Sequence, residues 1–226
     1  MNIIDRPSPN FEPRPAGAVI DTLLLHYTGM ESGEAALARL CDGQAKVSAH
    51  YVIEEDGRVF ALVPEEMRAW HAGASSWRGE TDLNSRSIGI ELVNPGHEFG
   101  YRAFPGAQIE ALIRLCREIL ARHPIPARNV IGHSDVAPTR KQDPGELFPW
   151  AELAERHGIG LWPCGEPTPL PAEHVLLAGL AHVGYDIHDP KAALTAFQRH
   201  FRPWKVDGQI DEESVGRLRS LLRIVR

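Results

Sequence analysis

Val19–Tyr27 reads VIDTLLLHY, and this run decides what kind of fold the chain can adopt. Leu23, Leu24 and Leu25 are consecutive, the run is short, and its far end turns polar. Such a run is a buried strand, with His26 at its exit. Other segments belong with it. Ser48–Val63 (SAHYVIEEDGRVFALV) sets Asp56-Gly57 between two runs rich in Val, Ile, Tyr and Phe, which predicts a β-hairpin closed by a two-residue turn. Ser87–Val93 (SIGIELV) is another short apolar strand, and its interior Gly89 marks a place where a neighbour lies close to the backbone. Val130-Ile131 forms a short strand feeding His133. Between Pro105-Gly106 and Pro124, the residues Ile109, Leu112, Ile113, Cys116, Ile119 and Leu120 recur at three- and four-residue spacing. That is the pattern of an amphipathic helix covering a sheet.

Outward from this frame, 226 residues suffice for one catalytic domain and a small appendage. Hydrophobic residues at 43% and charged residues at 24% exclude a disordered or collagenous chain. A formal charge of -6 offers no basic field for phosphates, so nucleic acid is not an expected partner. The proline-rich opening, MNIIDRPSPNFEPRP, holds no apolar run of the secretory kind, and no segment reaches the length of a membrane span. The expectation is a cytoplasmic protein, periplasmic if the chain is a processed form, monomeric and without a membrane partner. Cys41, Cys116 and Cys164 are odd in number, widely spaced and free of any C-x-x-C pair, which points to reduced thiols. From Gly158 to Pro171, GIGLWPCGEPTPLP carries four prolines and three glycines. This composition predicts a linker over 158–171, separating a first domain over 1–157 from a second over 172–226. In the second, Val175, Leu176, Leu180 and Val183, then Ala193, Ala196, Phe197 and Phe201, then Val215, Leu218, Leu221 and Leu222 outline three helical faces. A small three-helix bundle is the economical reading.

Chemistry concentrates at the strand exits. A catalytic zinc site needs three neutral or anionic ligands and an open fourth position. His26 and His133, each at the polar end of a predicted strand, and Asp143, ten residues after His133, satisfy that count. Pro144 confines the backbone of Asp143 to extended conformations. In an extended segment Lys141 and Asp143 project to the same side, so a ligand at 143 brings a cation toward the substrate. Glu91, a carboxylate inside SIGIELV, is costly to bury unless paired, protonated or working, and is the candidate general base. Bland alternatives stand beside each assignment: a solvated strand face for Glu91, and hydrogen-bonded structural roles for histidines in a chain that has 11 of them. His133-Ser134-Asp135 also forms the first half of a facial iron triad, but no distal histidine on a later strand completes it. Asp135 is better read as a turn residue, or one that fixes a neighbouring ligand imidazole.

LLLHYTG, VSAHYVIEEDGRVFALVPEEMRAWHAG, LNSRSIGIELVN and GHSDVAPTRKQDPG, in this order across roughly residues 18 to 156, resemble the type 2 N-acetylmuramoyl-L-alanine amidases. The resemblance implies an α/β (α+β) fold with a central mixed β-sheet flanked by helices and one Zn2+ at a groove. It carries over His26, His133 and Asp143 as zinc ligands, Glu91 as the catalytic carboxylate and Lys141 as the stabiliser of the transition state. His50, Trp70, His71 and Asn84 lie inside the matching motifs and are candidate substrate-binding residues. Where this family often has a basic residue before LN, the chain has Asp82-Leu83, which leaves open how acidic groups of the stem peptide are met. The C-terminal stretches GYDIHD, AALTAFQRHFRP and VDGQIDEESVGRLRSLL resemble a three-helix peptidoglycan-binding module. The implied partners are peptidoglycan fragments or muropeptides, in a recycling setting. The alternatives are a non-catalytic peptidoglycan recognition protein of the same fold and an iron oxygenase.

Overall fold

The computed structural model describes residues 2–225. The strands are β1 (Ile3–Asp5), β2 (Phe11–Pro13), β3 (Thr22–Tyr27), β4 (Tyr51–Ile53), β5 (Val59–Ala61), β6 (Met67–Ala69), β7 (Ser87–Leu92) and β8 (Val130–Gly132). The helices are α1 (Gly33–Leu40), α2 (Gly96–Phe99), α3 (Gly106–Arg122), α4 (His133–Val136), α5 (Trp150–His157), α6 (Glu173–Val183), α7 (Pro190–Phe201) and α8 (Glu212–Ile224). Six strands form one sheet in the order β1-β5-β4-β7-β3-β8, and β2 pairs with β6 in a separate ribbon. The β4–β5 pair is antiparallel while β4–β7, β7–β3 and β3–β8 are parallel, so the sheet is mixed, as expected. Among the described residues no helix is long and apolar enough to cross a membrane.

The leucine run sits where a two-sided hydrophobic strand must. β3 lies between β7 and β8, and Leu23, Leu24 and Leu25 are each fully buried, each contributing roughly 1.5–3 kcal/mol of burial. Leu23 and Leu25 face the core under α3, with Ile88, Ile90, Leu112, Leu115 and Ile119. Leu24 faces the opposite side, in a cluster with Ala72, Ile131 and Val136 that runs on into Leu180, Phe197 and Leu218 of the C-terminal helices. One continuous apolar cluster therefore joins the sheet to α6, α7 and α8. Residues 158–171 form neither helix nor strand, yet they are strapped to α8. Thr168 N–H donates to the Glu212 carbonyl and the Arg217 guanidinium to the Pro163 carbonyl. A Cβ on Gly165 would stand 2.3 Å from the Gly216 backbone.

The hairpin is present but its turn differs from the expected one. Glu54 N–H donates to the Arg58 carbonyl and Gly57 N–H to the Glu54 carbonyl, so three residues, Glu55 to Gly57, form the loop. Gly57, at φ 87°, takes the left-handed position that closes a three-residue hairpin turn. Asp56 instead uses its carboxylate to accept from Arg58 N–H at 3.0 Å.

Candidate active site

Register places the first two candidates. His26 and Glu91 are Cα partners across the parallel β3–β7 pair, so their side chains emerge side by side on one face. Leu25 partners Gly132 across β3–β8, which puts His133, the next residue, beside His26. The carboxyl ends of three adjacent strands thus converge, the usual place for a site in an open α/β sheet. Asp143 reaches the same corner from the loop after α4, where its carbonyl accepts from Ser134 N–H at 2.8 Å; its peptide bond to Pro144 is cis.

His26 Nδ1 and His133 Nδ1 stand 3.0 Å apart, and Asp143 Oδ2 is 3.0 Å from the first and 3.1 Å from the second. The proton positions follow from the outer partners. His133 Nε2 lies 2.9 Å from the Ala72 carbonyl, which only accepts, so the proton of neutral His133 is on Nε2 and its Nδ1 is bare. The other side is a chain. Ser87 Oγ donates to the Leu83 carbonyl at 2.6 Å and so accepts from His71 Nε2 at 3.3 Å. His71 Nδ1 is then free to accept from His26 Nε2 at 3.0 Å, leaving His26 Nδ1 bare as well. Two imidazole lone pairs and a carboxylate oxygen therefore point at one another with no proton between them. Donors about 2.0 to 2.1 Å from a tetrahedral ion stand about 3.3 Å from one another, so the trio has the dimensions and the donor set for one divalent cation. The outward bonds are those that orient metal-ligating histidines.

Electrostatics fit this arrangement. Burial lowers the His26 pKa to about 4, His133 and Lys141 adding to the effect while Asp143 opposes it. Burial holds His71 well below the ordinary imidazole range, with His26, His50 and His133 adding to it. Burial would raise Asp143, but charge and hydrogen bonding from His133 and His26 in their protonated forms outweigh it and hold the carboxylate far below its usual range; between bare Nδ1 atoms a bound cation would act in their place. Glu91 goes the other way: burial, then the Asp143 charge, push it well above the ordinary carboxylate range, against the pull of Lys141. Its Oε2 is buried and has no hydrogen-bond partner.

A cavity of about 630 Å³ opens over this corner. Glu91, His133, Asp143, Lys141 and His71 line it, with Arg39, Arg140, Tyr27 and His97 on its other walls. His50, Trp70 and Asn84 are not among the lining residues. His50 is fully buried; its Nδ1 accepts from Gly89 N–H at 2.9 Å, and its Nε2 donates to the Met67 carbonyl at 3.1 Å. Asn84 Oδ1 accepts from the N–H groups of His71 and Ala72 at 3.0 and 2.8 Å, holding the segment on which His133 leans. His71, though it borders the cavity, spends both ring nitrogens behind His26. Gly89 makes room for it: a Cβ there would stand 2.5 Å from His71 Nδ1. Asp135 is a turn residue, accepting from Gly132 N–H at 2.8 Å, but it bonds neither ligand imidazole; its other partners are Tyr185 and His200.

The sequence reading missed Arg140, Tyr27 and His97. Arg140 donates to the Ala72 carbonyl at 3.0 Å, sharing that acceptor with His133. Tyr27 Oη lies 2.9 Å from His97 Nδ1, both in the cavity lining. Arg140 and Tyr27 stood inside the quoted motifs, but a carbonyl acceptor or a cavity wall leaves no signature in residue type. The three thiols are free, as expected.

An ion in this corner would meet three protein donors on one side and open cavity on the other, the way a hydrolytic metal is held and unlike a closed structural zinc. Such a corner has the design of the metal-assisted hydrolases. Residues 16–146 match the Amidase_2 family, N-acetylmuramoyl-L-alanine amidase, and the chain belongs to that family. It is 41% identical to N-acetylmuramoyl-L-alanine amidase AmiD of Escherichia coli (strain K12), over 90% of this chain and 82% of that protein. With 1,6-anhydro-N-acetylmuramyl-L-alanine amidase AmpD of the same organism it shares 36% identity, over 65% of this chain and 87% of that one. The structure of E. coli AmiD in complex with anhydro-N-acetylmuramic acid-L-Ala-D-gamma-Glu-L-Lys superposes with a TM-score of 0.83 at 39% identity, covering 93% of this chain and 92% of that one. AmpDh3 from Pseudomonas aeruginosa, in complex with anhydromuramic pentapeptide, gives 0.84 at 37% identity, covering 93% and 94%.

Proposed function

We propose that the chain hydrolyses the amide between the lactyl carbonyl of N-acetylmuramic acid, ordinary or anhydro, and L-alanine in peptidoglycan fragments. One zinc ion would be held by His26, His133 and Asp143. The observation that carries this reading is the convergence of two unprotonated imidazole nitrogens and a carboxylate oxygen within 3.1 Å of one another, beside a cavity lined by His133 and Asp143. Zinc bound there would polarise the scissile carbonyl and make a water nucleophilic near neutral pH.

The residues around it divide the remaining work. Glu91 takes the proton of the attacking water; burial and the Asp143 charge raise its proton affinity, the direction a general base requires. The same carboxyl group returns a proton to the departing L-alanine amine. Lys141 faces the negative charge that develops on the carbonyl oxygen. Arg39 and Arg140, in the cavity lining with Lys141, offer cations to the acidic groups of the stem peptide, a role the missing basic residue at 82–83 leaves to other positions. The anhydromuropeptides in the AmiD and AmpDh3 complexes support soluble muropeptides as the substrate class, and so a part in recycling.

The test is digestion of defined muropeptides by the zinc-loaded chain, with products identified by mass spectrometry. Release of an intact stem peptide beginning with L-alanine, together with the free muramic acid, is the expected result. Binding of the muropeptide without cleavage would instead make the chain a recognition protein of this fold.

A further inference from the structure

We propose that Tyr185 and His200, from the C-terminal helical segment, are positioning residues for the metal corner: by holding the Asp135 carboxylate they fix the turn that carries His133. This rests on the reading of His133 as a metal ligand.

The turn needs outside support. α4 is a single helical turn, His133–Val136, and one isolated turn has no stability of its own. Asp135 closes it by accepting from Gly132 N–H at 2.8 Å. Two donors from the C-terminal segment complete the same carboxylate: Tyr185 Oη to Oδ1 at 2.7 Å, and His200 Nδ1 to Oδ2 at 2.7 Å. Asp135, His200 and Tyr185 are at most 3% exposed, so water cannot replace either donor. The donors are themselves held. The His200 ring stacks on Trp150 at 3.8 Å and on Phe201 at 3.9 Å, and Tyr185 packs edge-on against Trp77 at 5.2 Å.

The turn in turn governs two ligands. His133 is its first residue, and Ser134 N–H donates to the carbonyl of Asp143 at 2.8 Å. His26 and Glu91 sit within sheet strands fixed by their neighbours on both sides and need no such brace. A turn released from Tyr185 and His200 would therefore loosen His133 and Asp143 and leave His26 in place. On this reading the C-terminal helices are part of the metal site's scaffold, whatever else they bind.

The experiment measures zinc dissociation constants by chelator competition on the full-length chain, with circular dichroism to verify folding. His200→Phe keeps the ring between Trp150 and Phe201 and removes the donor; the expected result is zinc binding weakened by up to about tenfold, the lower end of the loss seen when direct outer partners of metal ligands are removed, because His200 acts one step further out through Asp135. His200→Asn, which offers an amide N–H near the former Nδ1, is expected to recover most of that loss although it fills the space less well. Tyr185→Phe, lacking one hydroxyl, is expected to weaken binding several-fold. Wild-type zinc constants in both His200→Phe and Tyr185→Phe would overturn the proposal; if His200→Phe does not fold, Tyr185→Phe decides alone. His133→Ala separates the two levels of inference. Zinc retained by His133→Ala removes the ligand assignment and this proposal with it, whereas zinc lost there but unchanged in the donor variants removes only the proposal.

Discussion

Two buried clusters of histidine and aspartate meet on one short turn, and they balance donors and acceptors in opposite ways. In the first, His26 Nδ1, His133 Nδ1 and Asp143 Oδ2 present lone pairs alone, crowded within 3.1 Å beside a cavity that His133 and Asp143 line. In the second, two residues along, the Asp135 carboxylate receives three donors, from Gly132, Tyr185 and His200. Residue type does not distinguish them; both contain histidine and aspartate, both are buried, and His133-Ser134-Asp135 links them in three letters. What separates them is the carboxylate: in one it meets only further lone pairs, in the other it is saturated with donors. Crowded lone pairs call for a cation, and a saturated carboxylate makes a lock.

The sharpest way to break this contrast is to remove a lone pair from the first cluster. His133→Ala is expected to lower the metal content from about one zinc per chain to near zero and turnover to the detection limit, with the fold kept, as read by elemental analysis and circular dichroism. Metal retained at wild-type stoichiometry would put the ion elsewhere. Glu91→Ala tests a neighbour that lines the same cavity without belonging to the trio. Zinc content should equal that of wild type while kcat falls by about 10²- to 10⁴-fold, the usual contribution of a positioned proton-transfer group. Hydrolysis near the wild-type rate would take Glu91 out of the mechanism.

In the second cluster the loss should fall on stability. Asp135→Ala leaves the Tyr185 hydroxyl, the His200 Nδ1–H and the Gly132 N–H without an acceptor in a site closed to water. Leaving a buried donor unsatisfied costs about 1–3 kcal/mol each, so a total near 3 kcal/mol or more is expected in urea unfolding of the metal-free protein. A cost below about 1 kcal/mol would mean that water or a rearranged side chain satisfies these donors, and the cluster would no longer count as a lock.

The same contrast explains which parts were legible in the sequence. Leu23 to Leu25 and SIGIELV declared themselves as strands because burial on both faces leaves an unbroken apolar run, and α3 because its apolar residues keep a helical period. His26, Glu91 and His133 were visible as polar groups at or near the ends of such runs. Their meeting was not, since it depends on β3 lying between β7 and β8, an order that no local pattern encodes. His50 and Asn84 illustrate the converse. Each is a polar residue inside a matching motif, and nothing in its type says whether it faces a substrate or ties down backbone. Structure assigns His50 to Gly89 and Met67, and Asn84 to His71 and Ala72. Tyr185 and His200 stood in a segment read as a separate bundle, and their bond to Asp135 spans 50 and 65 residues, beyond any spacing argument.

His50 supplies the finest test, because it is a third buried imidazole and belongs to the satisfied kind. Its Nδ1 accepts from Gly89 N–H and its Nε2–H donates to Met67, so only the neutral ring fits. Burial, reinforced by Arg14, lowers its pKa from 6.5 to about 3. A histidine with a depressed folded-state pKa favours folding above its unfolded pKa, and the contribution drains away as acid protonates the unfolded chain first. The affected window runs from about 6.5 down to about 3, at up to about 1.4 kcal/mol per pH unit for one proton. His50→Asn keeps an acceptor for Gly89 N–H and does not titrate. The stability advantage of wild type over this variant, measured by urea unfolding of the metal-free proteins, should therefore shrink as the pH is lowered from about 6.5 to about 5.5. An advantage that stays constant over that interval would show that His50 takes up its proton in the folded state, and that both ring nitrogens are not committed as the geometry requires.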